Sequence, residues 1–138
     1  MITKTKPKKL TINPVDFIIT NKKRLVLVDD EESTITGMKF HLGHEYDLTC
    51  FEDGDDAISY IMENPDKVDL IITDDRMKKM CGSEMVSRIK SEEMLKHIPV
   101  IMQTGSQSSF VSERHLKAFL QKPVDHETLI RAVKKALE

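Results

Sequence analysis

The stretch LIITDDRMKKMCG, residues 70–82, decides how the chain is read. It opens with a short run of apolar and β-branched residues, which suits a buried strand, and it closes on a glycine that leads into a helix-period segment. Two carboxylates, Asp74 and Asp75, stand where the strand runs out. Successive side chains at a strand end point to opposite sides, so only one of an adjacent pair can easily enter a shared polar site.

Outward from this stretch, the chain repeats the same alternation. Short apolar runs fall at residues 25–28, 48–51, 70–72, 100–102 and 118–120, and most are apolar at nearly every position. Continuous apolar runs of this length suit strands covered on both faces of a parallel sheet. Between them lie sets at helical spacing: Ile35, Met38 and Leu42; Ala57, Ile58, Ile61 and Met62; Met85, Val86 and Ile89; Leu129, Ile130, Val133, Ala136 and Leu137. Strand and helix alternating in this way, with right-handed crossovers, predict a doubly wound five-stranded parallel α/β sheet with helices on both faces. Ligands of such sheets bind beyond the carboxyl ends of the strands. Those ends carry Asp29 and Asp30, then Asp74 and Asp75, then Thr104, and finally Lys122 before Pro123.

The chain's 138 residues suffice for one domain with a sizeable core and are too few for two ordinary ones. No stretch approaches the roughly 20 apolar residues of a membrane span, no secretory signal pattern is visible, and the two cysteines, Cys50 and Cys81, are too few for a disulfide framework. A soluble protein of the cytoplasm, with reduced thiols, is the expectation. Residues 1–24 carry seven Lys and Arg against one Asp, whereas residues 25–138 carry fourteen basic against twenty-two acidic side chains. Residues 1–23 therefore read as a basic extension, partly disordered or docking, ahead of a domain at 24–138. The apolar segment TINPVDFII within it, residues 11–19, is expected to dock on the body or on a second copy. Nucleic-acid binding would rest on that basic extension alone and is not expected.

Singly, each polar residue has an ordinary explanation: Asp30 as a helix cap, Thr104 as turn chemistry, Lys122 as a surface lysine. Together they place three carboxylates, a hydroxyl and an ammonium at one edge of the sheet. Crowded carboxylates repel unless a cation is present, and an all-oxygen set without His or Cys favours a hard ion, with Mg²⁺ the natural choice. A carboxylate beside Mg²⁺, with an ammonium and a hydroxyl in reach, is equipped to accept a phosphoryl group as an aspartyl phosphate.

The stretch VDDEES after the first strand, the pattern Asp74-Arg76-Met77-Gly82 after the third, Thr104-Gly105 after the fourth and Lys122-Pro123 after the fifth resemble the response-regulator receiver family of two-component signalling, in particular stand-alone, chemotaxis-type receivers. The spacings agree: 45 residues from Asp29 to Asp74 and 30 from Asp74 to Thr104. The resemblance implies a flavodoxin-like sheet of strand order 2-1-3-4-5. It implies Asp74 as phosphoacceptor, Asp29, Asp30, Asp74 and the backbone carbonyl of Arg76 as ligands of Mg²⁺, Thr104 and Lys122 as phosphoryl-binding groups, and Thr104 and Phe119 as switch residues. It also implies a cis Lys122–Pro123 peptide. Read without the resemblance, Phe119 is a core residue of the fifth strand. Expected partners are a sensor histidine kinase or histidine phosphotransfer protein as donor and a downstream protein that reads the face of the fourth helix, fifth strand and fifth helix. The chain is expected to be a monomer or weak dimer and no enzyme beyond its own phosphorylation and slow dephosphorylation.

Three departures stand out. Lys78 holds a position where proline is usual, and Asp75 replaces a bulky apolar residue and is expected to face solvent or pair with a cation. Only 18 residues separate Thr104 from Lys122, fewer than usual, so the helix between the fourth and fifth strands is expected to be shortened or irregular. Two rivals are weaker: a receiver-like interaction module that is never phosphorylated, although all five site positions are intact, and a phosphatase, which would need Asp-x-Asp where Asp29 and Asp30 are adjacent.

Overall fold

A computed structural model describes residues 21–105 and 113–138. The elements run β1 (Arg24–Val28), α1 (Glu32–Leu42), β2 (Asp47–Phe51), α2 (Gly54–Glu63), a 3-10 turn (Pro65–Lys67), β3 (Leu70–Thr73), α3 (Gly82–Ser91), β4 (Val100–Thr104), a second 3-10 turn (Glu113–His115), β5 (Ala118–Gln121) and α4 (His126–Ala136). All strand pairs are parallel and the sheet order is β2-β1-β3-β4-β5. This is the doubly wound order 2-1-3-4-5 expected from the sequence.

The alternation of each strand divides the core in two. Val26, Val28, Ile71, Val100 and Met102 face α2 and α3, where Ala57, Ile58, Ile61, Met85, Val86 and Ile89 meet them. Leu25, Leu27, Leu70, Ile72 and Ile101 face α1 and α4, where Met38, Leu42, Leu129 and Val133 close the second layer. Strands β1, β3 and β4 are thus buried on both sides, which is why they read as unbroken apolar runs.

The outer elements follow the pattern less closely. Met62, expected on the apolar face of α2, is exposed, because it lies about 100° around the helix from Ile61, which is fully buried. Phe119 is 42% exposed and is not a core residue. In edge strand β5, Ala118 and Leu120 turn toward the α1/α4 layer, so Phe119 turns to the other side. The expected shortening of a helix between β4 and β5 falls largely on residues 106–112, outside the described residues; what is described there is the 3-10 turn. The expected docking of residues 11–19 also lies outside them.

Two helices are capped by the side chain of the residue before them. Asp53 caps α2 through the Asp56 N–H at 3.2 Å, and Asp125 caps α4 through the Thr128 N–H at 2.7 Å. Helix α3 is held differently, and here the expectation for Asp75 is corrected. Asp75 does not face solvent and, among the described residues, pairs with no cation: it is 6% exposed, and its Oδ1 accepts hydrogen bonds from the backbone N–H of Ser83 at 2.8 Å and from the Ser83 hydroxyl. The adjacent residue Cys81 provides no side-chain cap, so Asp75 performs that task from eight residues upstream. The Gly82 N–H donates to the Asp75 carbonyl at 2.8 Å, and a Cβ on Gly82 would run into the Asp74 carbonyl oxygen. Glycine is required there because the helix start lies directly against the backbone of the strand exit.

Two outcomes follow for urea unfolding. Gly82→Ala is expected to cost about 2 kcal/mol, the range of an overpacked site. Asp75→Ala is expected to cost about 1 kcal/mol, as for a lost cap, whereas Asp75→Asn, which keeps the accepting oxygen, loses less; equal losses would show that the cap does not explain Asp75.

Candidate functional site

The parallel register brings the polar residues together. Val28 of β1 pairs with Thr73 of β3, so the next residues, Asp29 and Asp74, leave the sheet side by side. Each is pinned by its backbone, the Asp29 N–H to the Phe51 carbonyl at 3.0 Å and the Asp74 N–H to the Val28 carbonyl at 2.9 Å. Thr104 pairs with Gln121 across β4 and β5, and the Lys122 N–H donates to the Thr104 carbonyl at 2.9 Å. The Lys122–Pro123 peptide is cis.

Lys122 crosses the strand ends to the acids. Its Nζ donates to Asp29 Oδ2 at 2.7 Å, to Asp74 Oδ2 at 3.0 Å and to Glu31 Oε1 at 3.0 Å. The other oxygens are also engaged: Asp29 Oδ1 accepts the Glu31 N–H at 2.8 Å and Asp74 Oδ1 accepts the Asp75 N–H at 2.6 Å. Asp29 and Asp74 are buried and Asp30 is exposed at the mouth.

The protonation equilibria reflect this crowding. Burial pushes the Asp29 carboxyl above the usual carboxylate range, with a further push from the Asp74 charge, although Lys122 and the Glu31 N–H oppose it. Burial alone would lower the Lys122 pKa, but hydrogen bonds to Asp29, Asp74 and Glu31 together carry it above the ordinary lysine value. The hydrogen bond from Lys122, then that from the Thr34 hydroxyl, hold the exposed Glu31 below its usual value.

Carboxylate oxygens of Asp29, Asp30 and Asp74 all lie within 4.8 Å of one another, the one such group of three among the described residues. Three carboxylate donors, two of them buried, fit a hard divalent cation. Asp30 and Asp74 of the trio line a cleft of about 1040 Å³ that Arg76, Thr104, Lys122 and Pro123 also line. Thr104 is buried at its wall and Arg76 is exposed. Phe119 is not among the lining residues. Lys78 is exposed on a neighbouring shallow cleft with Asp30, Asp75 and Arg76.

Glu31 is the site residue that sequence reasoning passed over. It is the third acid of VDDEES, and its signal was position: it precedes α1 directly and stands two residues after a strand-end Asp, where its side chain can turn back over the sheet. Thr34, one helical turn on, donates its hydroxyl to Glu31 Oε1 at 2.9 Å and helps fix the carboxylate that meets Lys122.

A family model described as the response regulator receiver domain matches residues 25–134. The transcriptional regulatory protein GlrR of Escherichia coli is 34% identical over 119 residues, covering 83% of this chain and 26% of that protein. The first curated relatives are much longer, and this chain spans only 9% to 26% of their lengths. Among solved structures, the chemotaxis response regulator CheY4 of Vibrio cholerae superposes with a TM-score of 0.76 at 24% identity, covering 85% of this chain and 100% of that one. The phosphorylated cyanobacterial phytochrome response regulator RcpA gives a TM-score of 0.70 at 26% identity, covering 83% and 90%. Among the described residues no helix is long and apolar enough to cross a membrane. With the family match spanning β1 to α4, the chain belongs to the response regulator receiver domain family of two-component signalling.

Proposed function

We propose that this receiver accepts a phosphoryl group on Asp74 from a phospho-histidine donor in the cytoplasm, either a sensor histidine kinase or a histidine phosphotransfer protein. The observation that carries the reading is the contact of one ammonium, Lys122, with both Asp29 and Asp74 beside a third carboxylate, Asp30. RcpA, a structural neighbour, is phosphorylated in its crystal structure, which supports the same chemistry here. A Mg²⁺ ion held by Asp29, Asp30 and Asp74, with the Arg76 carbonyl as a further ligand, supplies when bound the positive charge that offsets the oxygens of the transferring group. The Asp74 carboxylate attacks phosphorus, the bond from phosphorus to the donor imidazole nitrogen breaks, and the electron pair leaves with that nitrogen. Lys122 then shifts its hydrogen bonding from Asp74 to a phosphoryl oxygen, and the Thr104 hydroxyl binds another. Its own phosphorylation and slow dephosphorylation are the chain's only chemistry; the output is altered binding of a downstream protein. The exposed ring of Phe119 on β5, facing away from the α1/α4 layer, is placed to report the change to that partner.

Incubation with a small phosphodonor and Mg²⁺, followed by intact mass measurement, tests the assignment. The wild type and Asp75→Asn are expected to gain one phosphoryl group and Asp74→Asn none; uptake by Asp74→Asn at the wild-type level would refute it. A second expectation concerns the ammonium. In metal-free buffer Lys122→Ala leaves Asp29 and Asp74 facing each other uncompensated, and the loss should be about 2 kcal/mol, scaled down from a fully buried broken pair because the cleft is open. Adding Mg²⁺ should restore part of that loss in the variant and stabilise Asp30→Asn less than the wild type, as read from thermal melting.

A further inference from the structure

Away from the acidic site, two histidines 85 residues apart in sequence meet side chain to side chain. His41 lies in the last turn of α1 and His126 opens α4, and their Nδ1 atoms stand 2.7 Å apart. Two N–H groups cannot face each other at that distance, so at least one Nδ1 aims a lone pair at the other. The rings are inclined by 50° with centroids 4.5 Å apart, so the contact is through nitrogen edges rather than stacked faces. The edge-to-face contact of Phe40 with His41, at 5.4 Å and 74°, helps hold the His41 ring in place.

We propose that His41 and His126 form a second metal site, taking one borderline ion such as Zn²⁺ or Ni²⁺ between their Nδ1 atoms. Imidazole nitrogen suits these ions and not Mg²⁺, so the pair differs in kind from the oxygen cluster at the strand ends. Ligand bonds of 2.0–2.1 Å at a tetrahedral ion require the two nitrogens about 3.3 Å apart. The rings need to part by roughly 0.6 Å to reach that spacing, and the exposed ring of His126 has room to do so. Neighbouring acids are engaged elsewhere, Asp125 as the α4 cap and Glu127 with Arg131, so water completes the coordination. The site therefore binds less tightly than a closed four-ligand zinc centre. Its position gives it a consequence. His41 lines the same cleft as Asp74 and Lys122, and His126 follows Lys122 by four residues, so a bound ion would tie α1 to the segment that carries the site's ammonium.

Calorimetric titration of the full chain with Zn²⁺, and separately Ni²⁺, in excess Mg²⁺ to occupy the acidic cluster, tests the proposal. The wild type is expected to bind one ion, His41→Gln and His126→Gln each to bind at least about tenfold more weakly, and His44→Gln and His97→Gln to bind as the wild type does. Both replaced side chains are at the surface, and metal-free circular dichroism and melting of each variant check that it folds. In the wild type the ring proton signals of His41 and His126 should shift together on addition of the ion. No binding by the wild type, or undiminished binding by the double variant His41→Gln/His126→Gln, would overturn the proposal.

Discussion

The structure is organised around one ammonium among carboxylates. Two acids carried out of the sheet side by side would repel, and burial makes their charge more costly still. Lys122 offsets that cost from the end of β5, two strands beyond β3, with bonds of 2.7 and 3.0 Å to Asp29 and Asp74. The sheet order and register matter for this reason: β1 and β3 end at one level and β4 and β5 run two residues past it, so a lysine that follows β5 stands at the carboxyl edge and its long side chain reaches back to acids near the sheet's centre. The same arrangement leaves Asp30 exposed, so the cluster is closed on one side and open to an ion and an oxyanion on the other.

Around that centre the chain uses side chains as fasteners between elements that are neighbours in space but not in sequence. Asp75 fastens the start of α3 to the exit of β3, and Gly82 lets the two backbones approach. Glu31 ties the start of α1 to Lys122. Each links a loop at the site to a helix anchored in the core, so α1, α3 and the β5–α4 segment are all joined to the surroundings of Asp74. The pair of adjacent aspartates at 74 and 75 is thus divided in labour: one side chain enters the cleft and the other secures the helix beyond it.

Much of this was legible in the sequence because it follows from periodicity. The apolar runs of β1, β3 and β4 could be read since both their faces are buried, and the positions of Asp29, Asp74, Thr104 and Lys122 follow once the strand ends are known. Edge and surface features were harder. Phe119 reads as core in a three-residue apolar run, but an edge strand covers only alternate residues, and Met62 sits next to a buried isoleucine yet around the helix from it. Asp75 and Glu31 were misread or missed because their partners, Ser83 and Lys122, are set by how loops turn, which no hydrophobic pattern encodes. The meeting of His41 and His126 has the same origin, since it depends on the relative placement of two helices on one face of the sheet.

The claim that Asp74 alone carries the phosphoryl group is tested most directly by chemical mapping. An aspartyl phosphate is reduced by borohydride to homoserine, so phosphorylated wild-type protein can be reduced, digested and sequenced by mass spectrometry. Homoserine at position 74 and at no other acid is the predicted result. Homoserine at position 75, at 29 or 30, or at none of the site's aspartates in a protein that has demonstrably gained a phosphoryl group, would contradict it.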